Sequence, residues 1–317
     1  MKKLISLLVA LSLILGLCAF ASAEDKTYTV GILQFVQHPA LDLATQGFKE
    51  ALVEKLGDKV SFVDENASGE VPNCATIAGQ LVSKQVDLIM ANATPPLQAC
   101  TNATGDIPVL GTSVTDYQAA LEIELNAEGA TGMNVSGTSD LAPLDGQADM
   151  IKELFPDAKT VGLLYCSAEP NSKYQVTVIK GYLEEMGYTC AEFTFADSND
   201  VASVTQNACD GCDVLYIPTD NTAASCTEAI RNVVEPAKKP VVAGEEGICK
   251  GCGVVTLSID YYDLGYATGT MAYEILVNKA DISTLQIQFA PKVAKEYNAE
   301  MCELLGITVP EDYIAIQ

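Results

Sequence analysis

The stretch VDLIMANATPPLQACTN, residues 86–102, decides the fold. Its first part is short and apolar on both faces, which marks a strand covered on both sides rather than one with a wet face. Asn92-Ala93-Thr94-Pro95-Pro96 then makes a turn, and residues 96–102 have helical spacing. Proline at the opening of a helix removes only N–H groups that would be orphaned anyway. The unit is therefore strand, polar turn, helix. It recurs through the chain, with strands expected at 28–35, 60–63, 86–90 and 107–111 and helices at 41–56, 75–84 and 96–102. A second set follows, with strands at 160–165, 190–195, 214–217, 241–243 and 254–259 and helices at 174–186, 201–208 and 222–235. Residues 135–140 and 260–265 read as crossings between the sets. A further helix is expected at 265–276, a strand at 285–289 and a last helix at 293–305. Buried strands alternating with helices mean α/β, with parallel sheets covered by helices on both faces, and two consecutive sets suggest two similar lobes.

Composition bounds the setting. Lys2 and Lys3 precede an apolar run that ends in Ala21-Ser22-Ala23, the pattern of an export signal cleaved after residue 23. Cys18 offers lipidation as an alternative, but it follows Leu17, where a lipobox has a small residue. An exported protein is expected, extracellular, periplasmic or tethered to the outer face of the membrane. No later stretch is long and apolar enough to span a bilayer. The formal net charge is −24, which argues against nucleic acid and anionic membranes as partners. Ten cysteines follow the signal. In an exported chain an even number favours disulfides, with free thiols as one alternative. The pairs Cys209/Cys212 and Cys249/Cys252 leave a tetrathiolate zinc site as another.

In open parallel sheets, ligands sit beyond the carboxyl ends of the strands. The turns there carry His38, Thr94, Ser113, Thr115 and Asp116 in the first set. In the second they carry Ser167, Glu169, Asn171, Thr219, Asp220, Asn221 and Glu245. Ser, Thr, Asp and Asn also cap helices, so each position singly reads as a cap. Six polar turns along one edge of two facing lobes read as a cleft. Asp260 belongs to the second crossing and is added to the candidates.

Gln37-His38-Pro39-Ala40-Leu41-Asp42, Ala93-Thr94-Pro95, Pro218-Thr219-Asp220-Asn221, Ala243-Gly244-Glu245-Glu246-Gly247 and Ile259-Asp260-Tyr261-Tyr262-Asp263-Leu264-Gly265 resemble, in order and spacing, the TrpX-like family of ABC-importer substrate-binding proteins. The resemblance runs over essentially the whole chain after the signal; the cysteines and residues 292–304 fit the family pattern poorly. It implies a type I periplasmic binding protein fold, with two Rossmann-like parallel-sheet lobes and three crossovers. It also implies a small solute, an amino acid, closed between the lobes and handed to an ABC permease. The implied division is a signal at 1–23, one lobe at 24–137 plus 260–283, and the other at 138–259 plus 284–317. Hinges are expected near Gly137-Thr138, Ile259-Asp260 and Ser283-Thr284.

The residues constrain the ligand further. The only arginine, Arg231, lies within an expected helix away from the turns, so an Arg clamp on a carboxylate is not expected. Thr94, Ser113 and Thr115 could hold a carboxylate at helix starts, and Asp116, Asp220 and Glu245 an ammonium. Phe35, Tyr117 and Tyr261 are the aromatic candidates for a side-chain pocket. His38 is the only histidine. Without a second histidine or a hydrolase or nucleotide motif it is expected to line the cleft, not to catalyse or bind metal. No cofactor is implied, and a monomer is expected. A nucleoside or purine is the rival ligand, and a sensory subunit is the rival role for the same site. A secreted hydrolase using Glu169, Glu245 and Glu246 is the least supported reading, because the adjacent pair would point apart in extended backbone.

Overall fold

The computed structural model describes residues 26–290 and 292–317. The expected export signal, its expected cleavage point and Cys18 lie outside the described residues. The first sheet contains β1 (Tyr28–Gln34), β2 (Val60–Asn66), β3 (Leu88–Asn92), β4 (Val109–Val114), β5 (Val135–Ser139) and β11 (Gln288–Phe289), in the order β11-β5-β4-β3-β1-β2. Every pairing in it is parallel. The second contains β6 (Thr160–Cys166), β7 (Thr189–Phe195), β8 (Val214–Ile217), β9 (Val241–Ala243), β10 (Val255–Ile259), β12 (Val293–Tyr297) and β13 (Ile314–Ala315), in the order β13-β12-β10-β9-β8-β6-β7. Only β12 runs antiparallel to its neighbour β10.

Strands β3, β4 and β5 are buried at every residue, as a central parallel strand between helix layers must be. Edge strand β2 instead mixes exposed and half-buried positions. The first lobe is layered by α1 (Pro39–Leu56), α2 (Val71–Ser83), α3 (Thr94–Ala103), α4 (Tyr117–Leu121) and α11 (Tyr261–Leu276). The second is layered by α5 (Leu144–Leu154), α6 (Pro170–Glu185), α7 (Val201–Gly211), α8 (Asn221–Ser225), α9 (Thr227–Val234), α10 (Glu246–Cys252) and α12 (Ala299–Leu305). Helix α11 follows the second sheet yet packs on α1 of the first. The two approach so closely that a Cβ on Gly265 would overlap the Ala44 carbonyl oxygen, and one on Gly47 the Tyr262 carbonyl oxygen.

Four expectations shift. Residues 135–139 are not a crossing but strand β5, and the chain leaves the sheet at Asp140. The third crossing falls between β11 and β12, beyond Ser283-Thr284, because Gln288 and Phe289 pair with Thr138 and Ser139. The expected helix at 293–305 begins as strand β12, and only Ala299–Leu305 is helical. The expected helix at 222–235 breaks at Cys226 into α8 and α9.

The expected disulfides are not formed: all ten described cysteines are free thiols. Eight are buried, where cysteine packs as a small apolar side chain. Burial pushes Cys74 and Cys100 up to about 12, so they sit there as neutral thiols. The zinc alternative finds no support either, since no metal-holding group of His, Cys, Asp or Glu occurs among the described residues.

Candidate functional site: a cleft between strand ends

The carboxyl ends of both sheets face one another, and the backbone there is strained where side chains converge. Ala93, after β3, has φ 99, and Ser113, within β4, has φ 54. Both lie in the region that disfavours residues with a Cβ, a cost usually met where function demands the geometry. A register shift in the β4–β5 pairing at the same place turns Ser113 out of the ladder.

His38 ends the turn after β1 and is buried, with 6% exposure. Its Nε2 lies 3.2 Å from Asn221 Oδ1, at the start of α8 in the other lobe. Asn221 Nδ2 in turn donates to Glu169 Oε2 at 2.7 Å. Glu169 also accepts from the backbone N–H of Asn221 and Thr222, the Thr222 hydroxyl and Asn171 Nδ2. Burial holds the His38 imidazole below its ordinary range, so the ring is neutral; Asn221 and the charges of Glu169 and Asp42 oppose this less strongly.

Toward the crossings lies a second group. Asp140 follows β5 and accepts from the Thr115 hydroxyl at 3.1 Å and the Tyr261 hydroxyl at 3.0 Å. Desolvation pushes its carboxyl up to about 6, against those hydrogen bonds. Glu245 follows β9, caps α10 through the N–H groups of Gly247 and Ile248, and is pushed up by burial to about 7. Both charges act on Tyr261, whose hydroxyl burial and these carboxylates raise well above its usual range.

The structure thus brings together His38, Thr94, Ser113, Thr115, Glu169, Asn171, Asp220, Asn221 and Glu245, each less than a tenth exposed. Thr94, Asp116 and Asn171 meet across the cleft around a small gap beside Tyr174. Thr219 is half-buried, with its hydroxyl on the Gly244 carbonyl. Ser167 and Asp260 are exposed, and Asp260 caps α11 at Asp263 N. Asp220 has both oxygens occupied by backbone, from Cys166 N at 2.7 Å and Ala223 N at 2.8 Å. Of the aromatic candidates, Tyr117 donates to the Thr138 carbonyl inside the first lobe, Tyr261 reaches Asp140, and Phe35 lines a cavity of about 280 Å³ with Val36, Gly69, Glu169 and Thr222. Asp140 was not among the sequence candidates. Its one signal is that a polar residue follows an apolar strand, and that appears only once 135–139 is seen as a strand.

Four carboxylates are buried among the described residues: Asp140, Glu169, Asp220 and Glu245. All four lie in this cleft, and no described lysine or arginine is buried anywhere. Three buried polar atoms here have no hydrogen-bond partner: His38 Nδ1, Ser113 Oγ and Asn171 Oδ1. Such atoms are costly to bury unless something completes them.

Two parallel-sheet lobes joined by three crossings, with unsatisfied polar groups converging between them, define a type I periplasmic binding protein, a receptor for small solutes. The chain belongs to the ABC transporter substrate binding protein family, which it matches over residues 29–316. It is therefore the extracytoplasmic, solute-capturing partner of an ABC permease, and it is not an enzyme.

It is 36% identical over 297 residues to a tyrosine-binding protein of Clostridioides difficile (strain R20291), covering 88% of this chain and 85% of that one. Among solved structures it is similar to the ABC domain in complex with L-Trp from Streptococcus pneumoniae, with 34% identity, a TM-score of 0.85 and coverage of 90% of this chain and 97% of that one. It is also similar to the ligand-free, open structure of a Clostridium difficile substrate binding protein with adhesive properties, with 35% identity, coverage of 92% and 99%, and a TM-score of 0.69. At nearly equal identity the chain has the shape of the ligand-bound relative more than that of the open one. Its lobes are drawn together, consistent with the His38–Asn221 contact.

Proposed function

We propose that the chain captures an amino acid with an aromatic side chain by closing its two lobes around it. The observation that carries this reading is the set of buried carboxylates with no buried cation. A cavity with that balance is completed by a ligand that brings positive charge, as an α-ammonium does. Asp140 and Glu245 are the best placed to receive it, since they accept fewer hydrogen bonds than Glu169. The free Ser113 hydroxyl and Thr94 at the start of α3 would take the α-carboxylate, and the ring would extend toward Phe35. The names of the two relatives, one tyrosine-binding and one solved with L-Trp, support the same class.

Closure would be absorbed at the three crossings, which divide the chain into its two lobes. The export signal is expected to be removed after Ala23, leaving a soluble monomer, with tethering through Cys18 as the alternative. A nucleoside would meet the aromatic surface equally well but would leave the carboxylates without a cation.

The test is a thermal-shift screen of protein refolded free of bound solute, against the twenty amino acids and the common nucleosides. At 100 times its dissociation constant a ligand adds about 2.7 kcal/mol, a visible shift. Response to tyrosine, tryptophan or phenylalanine supports the reading. Response to nucleosides alone overturns the ligand class while leaving the fold and family untouched.

A further inference from the structure

We propose that His38 is a specificity-determining residue that accepts a hydrogen bond, through Nδ1, from the hydroxyl or N–H on the ligand's ring. The inference rests on the aromatic amino-acid reading above and names what that ring must carry.

The argument is a chain of donor and acceptor assignments starting at Glu169. Both Glu169 oxygens act as acceptors, from the N–H groups of Asn221 and Thr222, the Thr222 hydroxyl and Asn171 Nδ2, so the Asn221 group against Glu169 Oε2 is its NH₂. The same side chain therefore turns its carbonyl oxygen to His38. That oxygen cannot donate, so the proton between the two residues belongs to His38 Nε2. In a neutral imidazole one nitrogen carries the proton and the other is a bare acceptor. Nδ1 is left as that acceptor, inside a residue only 6% exposed, with no partner in the protein. Glu169 and Asn221 are positioning residues, because they fix which nitrogen carries the proton and which is left as the acceptor.

Strand order places this acceptor away from the ammonium. Asp140 follows β5 and His38 follows β1, with β4 and β3 between them. Three strand spacings are roughly 14 Å between backbones, and side chains reaching inward from both ends leave room for one amino acid lying lengthwise. Across the cleft the order agrees: Glu245 after β9 stands toward the crossings, and Asn221 after β8 and Glu169 after β6 stand beyond it. Phe35 and Val36, just before His38 in the chain, and Glu169, the partner of Asn221, line a cavity on that far side. A ring ending in a hydroxyl or N–H satisfies Nδ1. A plain phenyl ring leaves it buried and unpaired, which sites of this kind punish more heavily than they reward a match.

The test uses two features of the chain: it has no tryptophan and a single histidine. L-tryptophan binding can be followed by the ligand's own fluorescence, with tyrosine and phenylalanine as competitors. Tyrosine and tryptophan are expected to bind roughly ten- to a hundredfold more tightly than phenylalanine. His38→Asn keeps an acceptor near the Nδ1 position and should retain much of that preference. His38→Gln keeps the reach to Asn221 but loses the acceptor, and should bring the three ligands close together. Nitrogen-15 spectra of the one imidazole should show the Nε2–H tautomer, with the Nδ1 signal moving on addition of tyrosine or tryptophan and not of phenylalanine. Equal binding of all three by the wild-type protein, or an Nδ1–H tautomer in the complex, overturns the role of His38 and leaves the aromatic reading standing. Failure of all three to bind overturns both.

Discussion

His38 Nε2 and Asn221 Oδ1 lie 3.2 Å apart across two lobes that share no strand, 183 residues apart in the chain. This bond exists only when the lobes are together, so it belongs to the energetics of closing rather than of folding. A double-mutant cycle of His38→Ala and Asn221→Ala should show about 1 kcal/mol of coupling in ligand affinity. The same cycle in the stability of the solute-free, open protein should show nearly none. Equal coupling in both would mean the lobes are already closed without solute.

The buried acids set the pH response. Asp140 and Glu245 stand at about 6 and about 7, above their ordinary 3.8 and 4.5. Their raised values favour the closed, solute-free form at low pH, and that contribution is lost as pH rises through the window from about 4 to about 7. A bound ammonium reverses the sign by stabilising the ionised forms. Affinity should therefore climb with pH through about 6 to 7, and binding there should release protons. Titration calorimetry in two buffers of different ionisation heat measures that release; none, with a flat affinity profile, would remove these two carboxylates from the ammonium site.

The contact between α1 and α11 leaves no room for a side chain. Gly265→Ala should destabilise by about 1–3 kcal/mol or more, because the new methyl meets the Ala44 carbonyl and both helices must shift. Gly79 in α2 and Gly181 in α6 have nothing within 4 Å of an added Cβ. Alanine there should stabilise by about 0.5–1 kcal/mol. Denaturant midpoints of the three variants decide it, and a neutral Gly265→Ala would show that the helix pair is looser than described.

Asp220 presents itself in the sequence as an ammonium partner, yet its oxygens are taken by Cys166 N and Ala223 N. Asp220→Ala strands two N–H groups at a site with 0% exposure, at about 1–3 kcal/mol each. The variant should melt measurably earlier without any solute present. An unchanged melting temperature with lost binding would return Asp220 to the ligand.

Much of this was legible in the residues, because buried parallel strands are written as short apolar runs closed by a polar turn. Residues 86–102 are one such unit, and the turns after the strands do converge. The failures share one cause: information held far away in the chain. Residues 293–297 have no local signal that separates strand from helix, and they become β12 because β10 offers an unpaired edge. Val135–Ser139 resembles a linker until β4 is beside it, and Asp140 stayed hidden with it. Capping and binding also draw on the same side chains. Asp260 proved to be a cap on the surface, whereas Glu245 is a cap inside the cleft.

The fastening of α11 to α1 has a consequence for the order in which a solute meets its contacts. Tyr261 is the first residue of α11, so it travels with the first lobe although the chain reaches it from the second. Its bond to Asp140, like that of Thr115, joins parts of one rigid body and persists while the cleft stands open. Ser113 and His38 sit on that same body. In the proposed site an arriving solute would therefore find half of its contacts already assembled on one wall. Glu245, Asn221 and Glu169 would come later, as the far wall swings in, and would hold a guest that the near wall has already oriented.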